Sequence, residues 1–157
     1  MMNHANTAQV NGLLVAMEME RRGRMLYVRA QQFTEDPDLL ALLEQLASEE
    51  EVHFAQFSAM LEECGLTFLD AEEHALAVSK AADYFFPGGL MQAALDGALK
   101  SPVSMLMEAM KAETDSIAFY TRLRDSMDDP AQKDIIQRII EEEENHLATL
   151  EKRKLEY

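Results

Sequence analysis

One pattern occurs twice in this chain, at a fixed offset of 93 residues. Glu50-x-x-His53 returns as Glu143-x-x-His146. Glu20, thirty residues before Glu50, returns as Glu113, thirty residues before Glu143. Tyr27 and Tyr120 keep the same offset, and so do Asp36-Pro37 and Asp129-Pro130. A repeat this long is a duplicated helical hairpin, not a short-period solenoid. Glu and His three residues apart project from one helical face about a turn apart. Any fold for this chain must therefore give four carboxylates and two imidazoles a place to go.

The intervening residues read as helices. The first is expected from about Thr7 to Phe33, with Leu13, Met17, Glu20, Tyr27 and Ala30 on one face. Asp36 caps the next helix and Pro37 suits its first position. That helix runs to about Cys64, where Gly65 is a natural stop. Its inward face is Leu39, Leu43, Leu46, Glu50, His53, Phe57 and Met60, an apolar stripe interrupted by one Glu and one His. Burying either without a partner is costly. Ser101-Pro102 starts a third long helix, with Leu106, Ala109, Met110, Glu113, Ile117, Tyr120 and Leu123 on its face. After Asp128-Asp129-Pro130 a fourth carries Ile136, Ile139, Glu143, His146 and Leu150 inward. Residues 66–100 are too long for a turn between neighbouring helices and suit a crossover connection. Asp70 is expected to cap a helix there through about Phe85, Pro87-Gly88-Gly89 to break it, and a short helix to follow from Leu90 to Leu99. Scarce Gly (6) and Pro (4) agree with an all-α chain, and 157 residues with a single domain, 1–157.

The spacing aligns the repeated residues in height. Glu20 and Glu50 each lie fifteen residues from Glu35, and Glu113 and Glu143 fifteen from Asp128. In an antiparallel hairpin both members then stand roughly 22 Å from the turn. Packing the hairpins face to face converges all six side chains at mid-bundle. Bare, four carboxylates would repel one another. Two divalent cations resolve this, and oxygen with imidazole ligation suits iron or manganese better than a thiolate-seeking metal, with zinc as a substitute.

The segments Ala16 to Tyr27, Leu46 to His53, Ala112 to Tyr120 and Ile139 to His146 resemble the four helices of the rubrerythrin group in the ferritin-like superfamily. The resemblance implies a four-helix bundle of two hairpins joined by a long crossover carrying short helices. It implies a di-iron centre held by Glu20, Glu50, His53, Glu113, Glu143 and His146, one Glu from each of two helices and Glu-x-x-His from each of the others. It also implies a redox protein whose reduced iron reacts with peroxide or dioxygen and is re-reduced by an external electron donor, working as a homodimer. Ferroxidation for iron handling is the neighbouring alternative, and a metal-binding bundle without catalysis the third. Two departures stand out. Many rubrerythrins carry a cysteine-ligated iron module, whereas this chain has one cysteine, Cys64. They also place a further Glu one turn beyond the third-helix ligand; here that position is Ser116, and its repeat partner is Gly23.

Bulk properties narrow the partners. A net charge of −15 argues against nucleic acid or an anionic membrane. No apolar run is long enough to span a bilayer, no basic-then-apolar leader opens the sequence, and one cysteine permits no internal disulfide, so a cytoplasmic location is expected. Glu49, Glu51, Glu142 and Glu144 are assigned to solvent, and His4 and His74 to the surface. Cys64 is expected to pack rather than react. Tyr27 and Tyr120, seven residues beyond a ligand Glu, suit either core packing or a catalytic part around the metals, through hydrogen bonding or redox.

Overall fold

A computed structural model describes residues 6–65, 71–85, 97 and 100–157. Three long helices begin at the X-Pro pairs. Pro37 opens α2 (Pro37–Glu63), with Asp36 accepting from the amides of Asp38 and Leu39. Pro102 opens α4 (Pro102–Ser126), with Ser101 accepting from Ser104. Pro130 opens α5 (Pro130–Lys154), with Asp129 accepting from Ala131. These caps satisfy amides that the first turn leaves unpaired. The first helix, α1, spans Asn6–Ala30 and tightens into a 3-10 turn at Gln31–Phe33. Gly65 follows α2 with φ +86, the left-handed conformation in which glycine meets no Cβ penalty. In the crossover, α3 covers Ala71–Phe85. The cap at Asp70, the break at 87–89, the short helix at 90–99, His4 and the side chain of His74 lie outside the described residues.

The helices pair as α1 with α2 and α4 with α5, and the hairpins meet through α1 on α4 and α2 on α5, while α3 lies against α1 and α4. No strand occurs among the described residues. This is the expected all-α ferritin-like bundle. All seven inward residues of α2 are buried, as are the five of α5. On α1 and α4 the stripe is correct but wider than expected: Met17, Met110 and Ile117 are only partly buried, while Met19, Leu26, Met105, Ala112 and Ser116 are buried as well. The reason is that α1 and α4 contact each other and α3 besides their hairpin partners, so a broader arc is covered. Cys64 is half-buried against the core at the end of α2.

The far end of the bundle is tied by polar contacts. Arg153 near the end of α5 donates to Asp36 at 2.8 Å, and the Tyr157 hydroxyl donates to the same carboxylate oxygen at 2.7 Å. At the opposite turn, buried Gln9 of α1 donates to the Ser126 carbonyl and to Asp128. The hairpins are thus pinned to each other at both turns.

Candidate metal centre

Midway along the bundle the apolar core gives way to a charged cluster. Glu20, Glu50, Glu113 and Glu143 are all buried, at 4 % exposure or less, with His53 fully buried and His146 nearly so. Each comes from a different height-matched position: Glu20 from α1, Glu50 and His53 from α2, Glu113 from α4, Glu143 and His146 from α5. The structure therefore brings together all six residues that the repeat singles out. They form two overlapping sets, Glu20–Glu50–His53–Glu143 and Glu50–Glu113–Glu143–His146, whose ligand-type atoms lie within 4.8 Å of one another. Glu50 and Glu143 belong to both sets. Glu20 with His53 belongs to the first set alone, and Glu113 with His146 to the second.

The six residues are close together but poorly bonded to each other. Glu20 Oε2, Glu50 Oε1, His53 Nδ1, Glu113 Oε2, Glu143 Oε1 and His146 Nδ1 are all buried without a hydrogen-bond partner. His53 Nδ1 and Glu143 Oε1 approach to 2.7 Å. An unpaired buried polar group costs about 1–3 kcal/mol. Atoms aimed at common points, rather than at each other, are the arrangement a cation completes. The donor set of oxygens and imidazoles fits iron or manganese.

Protonation in the bare cluster follows from this crowding. Burial, and then the charge of Glu143, hold the Glu20 carboxyl well above the usual carboxylate range. Burial together with Glu143 and Glu20 does the same to Glu50. Burial also works against an ionised Glu143, but the contacts of His146 and His53 outweigh it and keep this carboxyl low. Burial opposes the charged imidazoles, yet Glu143, Glu50 and Glu142 lift His53 to about 9, and Glu143 and Glu50 lift His146 to about 10. Protons thus occupy positions that cations would take, and cation binding must displace them.

Four contacts around the cluster cross from one hairpin to the other. The Tyr27 hydroxyl donates to Glu113 Oε1 at 2.5 Å, and the Tyr120 hydroxyl to Glu20 Oε1 at 2.7 Å. His53 Nε2 meets Glu142 Oε2 at 2.5 Å, and His146 Nε2 meets Glu49 Oε2 at 2.5 Å. Each contact maps onto its partner under the 93-residue repeat with the hairpins exchanged. Glu49 and Glu142 therefore correct the sequence reading. They keep substantial exposure, but instead of facing only solvent each anchors a histidine of the other hairpin. A carboxylate accepts, so Nε2 carries the hydrogen and Nδ1 of a neutral ring presents its lone pair to the cluster. A signal for them was present: both lie four residues before a repeated His, so the repeat includes them. Both tyrosines are buried and carry these hydrogen bonds, with Phe57 packed on the Tyr120 ring at 5.0 Å. Burial is the main reason both phenols hold their protons more firmly than usual. Glu51 and Glu144 are exposed, as expected.

The comparison with known families agrees with this geometry. A family model described as Rubrerythrin matches residues 11–154, which include every residue named in the cluster. The chain belongs to the rubrerythrin family. No match was found among curated proteins or among solved structures. As a rubrerythrin this chain lacks the cysteines for an iron–thiolate module within its 157 residues. None of its described helices is long and apolar enough to cross a membrane.

Proposed function

We propose that this rubrerythrin is a non-haem di-iron oxidoreductase. Glu20, Glu50, His53, Glu113, Glu143 and His146 hold two iron ions, and the reduced centre reacts with peroxide or dioxygen. The supporting observation is the orphaned set of six buried ligand atoms in two overlapping groups. When bound, a pair of irons supplies two electrons to one oxidant and cycles between its ferrous and ferric states. The chain's own residues do the rest. Glu50 and Glu143, common to both sets, would serve both ions, and Glu20 with His53 and Glu113 with His146 would complete the two ligand sets. Tyr120 and Tyr27 orient the flanking carboxylates Glu20 and Glu113 through their hydroxyls. Glu142 and Glu49 fix the imidazoles with Nδ1 inward. Phe57 packs on the Tyr120 ring and holds that phenol in place beside Glu20. An external electron donor restores the reduced state, and the working form is a homodimer. Anaerobic reconstitution with iron(II), followed by peroxide in a stopped-flow spectrometer, tests this. A bound iron pair that oxidises much faster than free iron is expected. Oxidation no faster than that of free iron excludes the redox role. Accumulation of a mineral core inside a large shell would instead assign iron storage.

A further inference from the structure

A cavity of about 360 Å³ lies on the seam between α1 and α4, within the size range of small-molecule sites. α1 contributes Ala8, Gly12 and Val15, α4 contributes Phe119, Arg122 and Leu123, and α3 places Lys80 at the edge. None of the described lining residues is one of the six clustered Glu and His, or one of the four side chains bonded to them. Ala8 and Gly12, one turn apart, give this face of α1 no side chain larger than a methyl, and that leaves the hollow. Leu123 rests against the bare backbone at Gly12, where a Cβ would lie 2.5 Å from its Cδ1. Val15 and Leu123 are buried and Phe119 half-buried, so the floor is apolar. Lys80 and Arg122 are exposed at the rim, where long side chains keep their charged heads in water. The repeat maps this face onto residues 101–108 of α4 and 26–33 of α1. There Arg29 stands for Arg122, but Glu108 stands for Val15. The counterpart face thus pairs its cation with a carboxylate position. The cavity has no carboxylate among its described lining residues.

We propose that this cavity binds a free organic monoanion with an apolar body, of the size and class of a medium-chain carboxylate. Its floor offers apolar surface that a hydrocarbon body covers, and removing such surface from water drives binding. Its rim offers two cations carried by two different helices. In a chain of net charge −15 an anion is repelled by most of the surface and attracted here. Apolar contact thus supplies the binding, and charge selects the class of molecule and its orientation, head to the rim and body to the floor. The volume admits one short hydrocarbon body and not a two-chain lipid. The site is independent of the metal centre, since it shares no residue with it.

The test is calorimetric titration of the full chain with octane-1-sulfonate, an anion that ligates metals poorly, and with octan-1-ol as its neutral counterpart. The sulfonate should bind at one site per chain with a dissociation constant of about 1 mM or tighter. The alcohol should bind at least tenfold more weakly. Ala8→Phe fills the cavity from an exposed position and should weaken sulfonate binding at least tenfold. Lys80→Glu combined with Arg122→Glu should do the same. Arg138→Glu combined with Lys152→Glu makes the same charge change at exposed positions of α5 and should leave the affinity within twofold of wild type. No saturable binding overturns the site, and so does wild-type affinity in Ala8→Phe. Equal affinity for sulfonate and alcohol overturns the choice of an anion. If circular dichroism shows that Ala8→Phe does not fold, the two charge-reversed pairs decide: a loss confined to Lys80 and Arg122 supports the site, and equal losses overturn it.

Discussion

Two buried histidines that share their environment with four carboxylates set the chemistry at the level of single residues. Their ordinary value is 6.5, and the carboxylates raise it to about 9 for His53 and about 10 for His146. A group whose folded value is raised contributes stability in full below its unfolded value and loses it as pH passes through the folded one. The metal-free protein should therefore be most favoured by these rings below about pH 6.5 and lose that contribution towards pH 9–10. Glu20 and Glu50, also raised, act in the same direction, whereas the lowered Glu143 loses its contribution only on acidification. Thermal melts of metal-free protein from pH 6 to 10 should show a falling midpoint, and a flatter profile in His53→Gln with His146→Gln. Parallel profiles would show that the rings are not charged in the bare cluster. The outer carboxylates give a second prediction. Partners of a ligating histidine change metal affinity by about 10–100-fold. Glu49→Ala and Glu142→Ala should lower iron(II) or cobalt(II) affinity within that range at unchanged stoichiometry, while Glu50→Ala lowers the stoichiometry itself. A competition titration with a chromogenic chelator separates the cases, and equal effects of Glu49→Ala and Glu50→Ala would reassign the ligands.

At the level of elements, helix boundaries were readable wherever a local device sets them. Asp36-Pro37, Ser101-Pro102 and Asp129-Pro130 start helices at the expected residues because cap and proline act through the nearest backbone alone. Gly65 stops α2 for a similar local reason. It predicts that Gly65→Ala costs about 1 kcal/mol, since an L side chain at φ +86 is strained although nothing crowds the site. A urea melt would show it as a lower midpoint with unchanged slope, and an unshifted midpoint would mean the turn relaxes freely. The inward stripes of α2 and α5 were legible because 3.6-residue periodicity reports one buried face. The wider burial on α1 and α4 was not, since it depends on which further helices cover them. Glu49 and Glu142 were misjudged for the same kind of reason. Within its own helix each carboxylate is a half-exposed neighbour of a histidine, and only the docking of α2 against α5 gives it the histidine of the other hairpin.

For the molecule as a whole, the cluster is also the joint between its halves. The four hydrogen-bonded contacts around it, Tyr27–Glu113, Tyr120–Glu20, His53–Glu142 and His146–Glu49, all run from one hairpin to the other. The two proposed ligand sets each draw on both hairpins as well. Ion binding should therefore stabilise the docking of whole hairpins rather than one loop. A ligand that binds only the folded state contributes about 4 kcal/mol when free ligand is a thousand times its dissociation constant. For a domain of this length, each kcal/mol moves the melting midpoint by about 2–4 °C. Saturating iron(II) under anaerobic conditions should thus raise the midpoint on the order of 10 °C per ion, and chelation should reverse it. Glu50→Ala, which removes a residue common to both sets, should lose more than half of that rise. Glu144→Ala, at an exposed position of the same helical turn as Glu143, should retain it. A midpoint indifferent to metal in the wild type would show that the six side chains hold the hairpins together through protons alone.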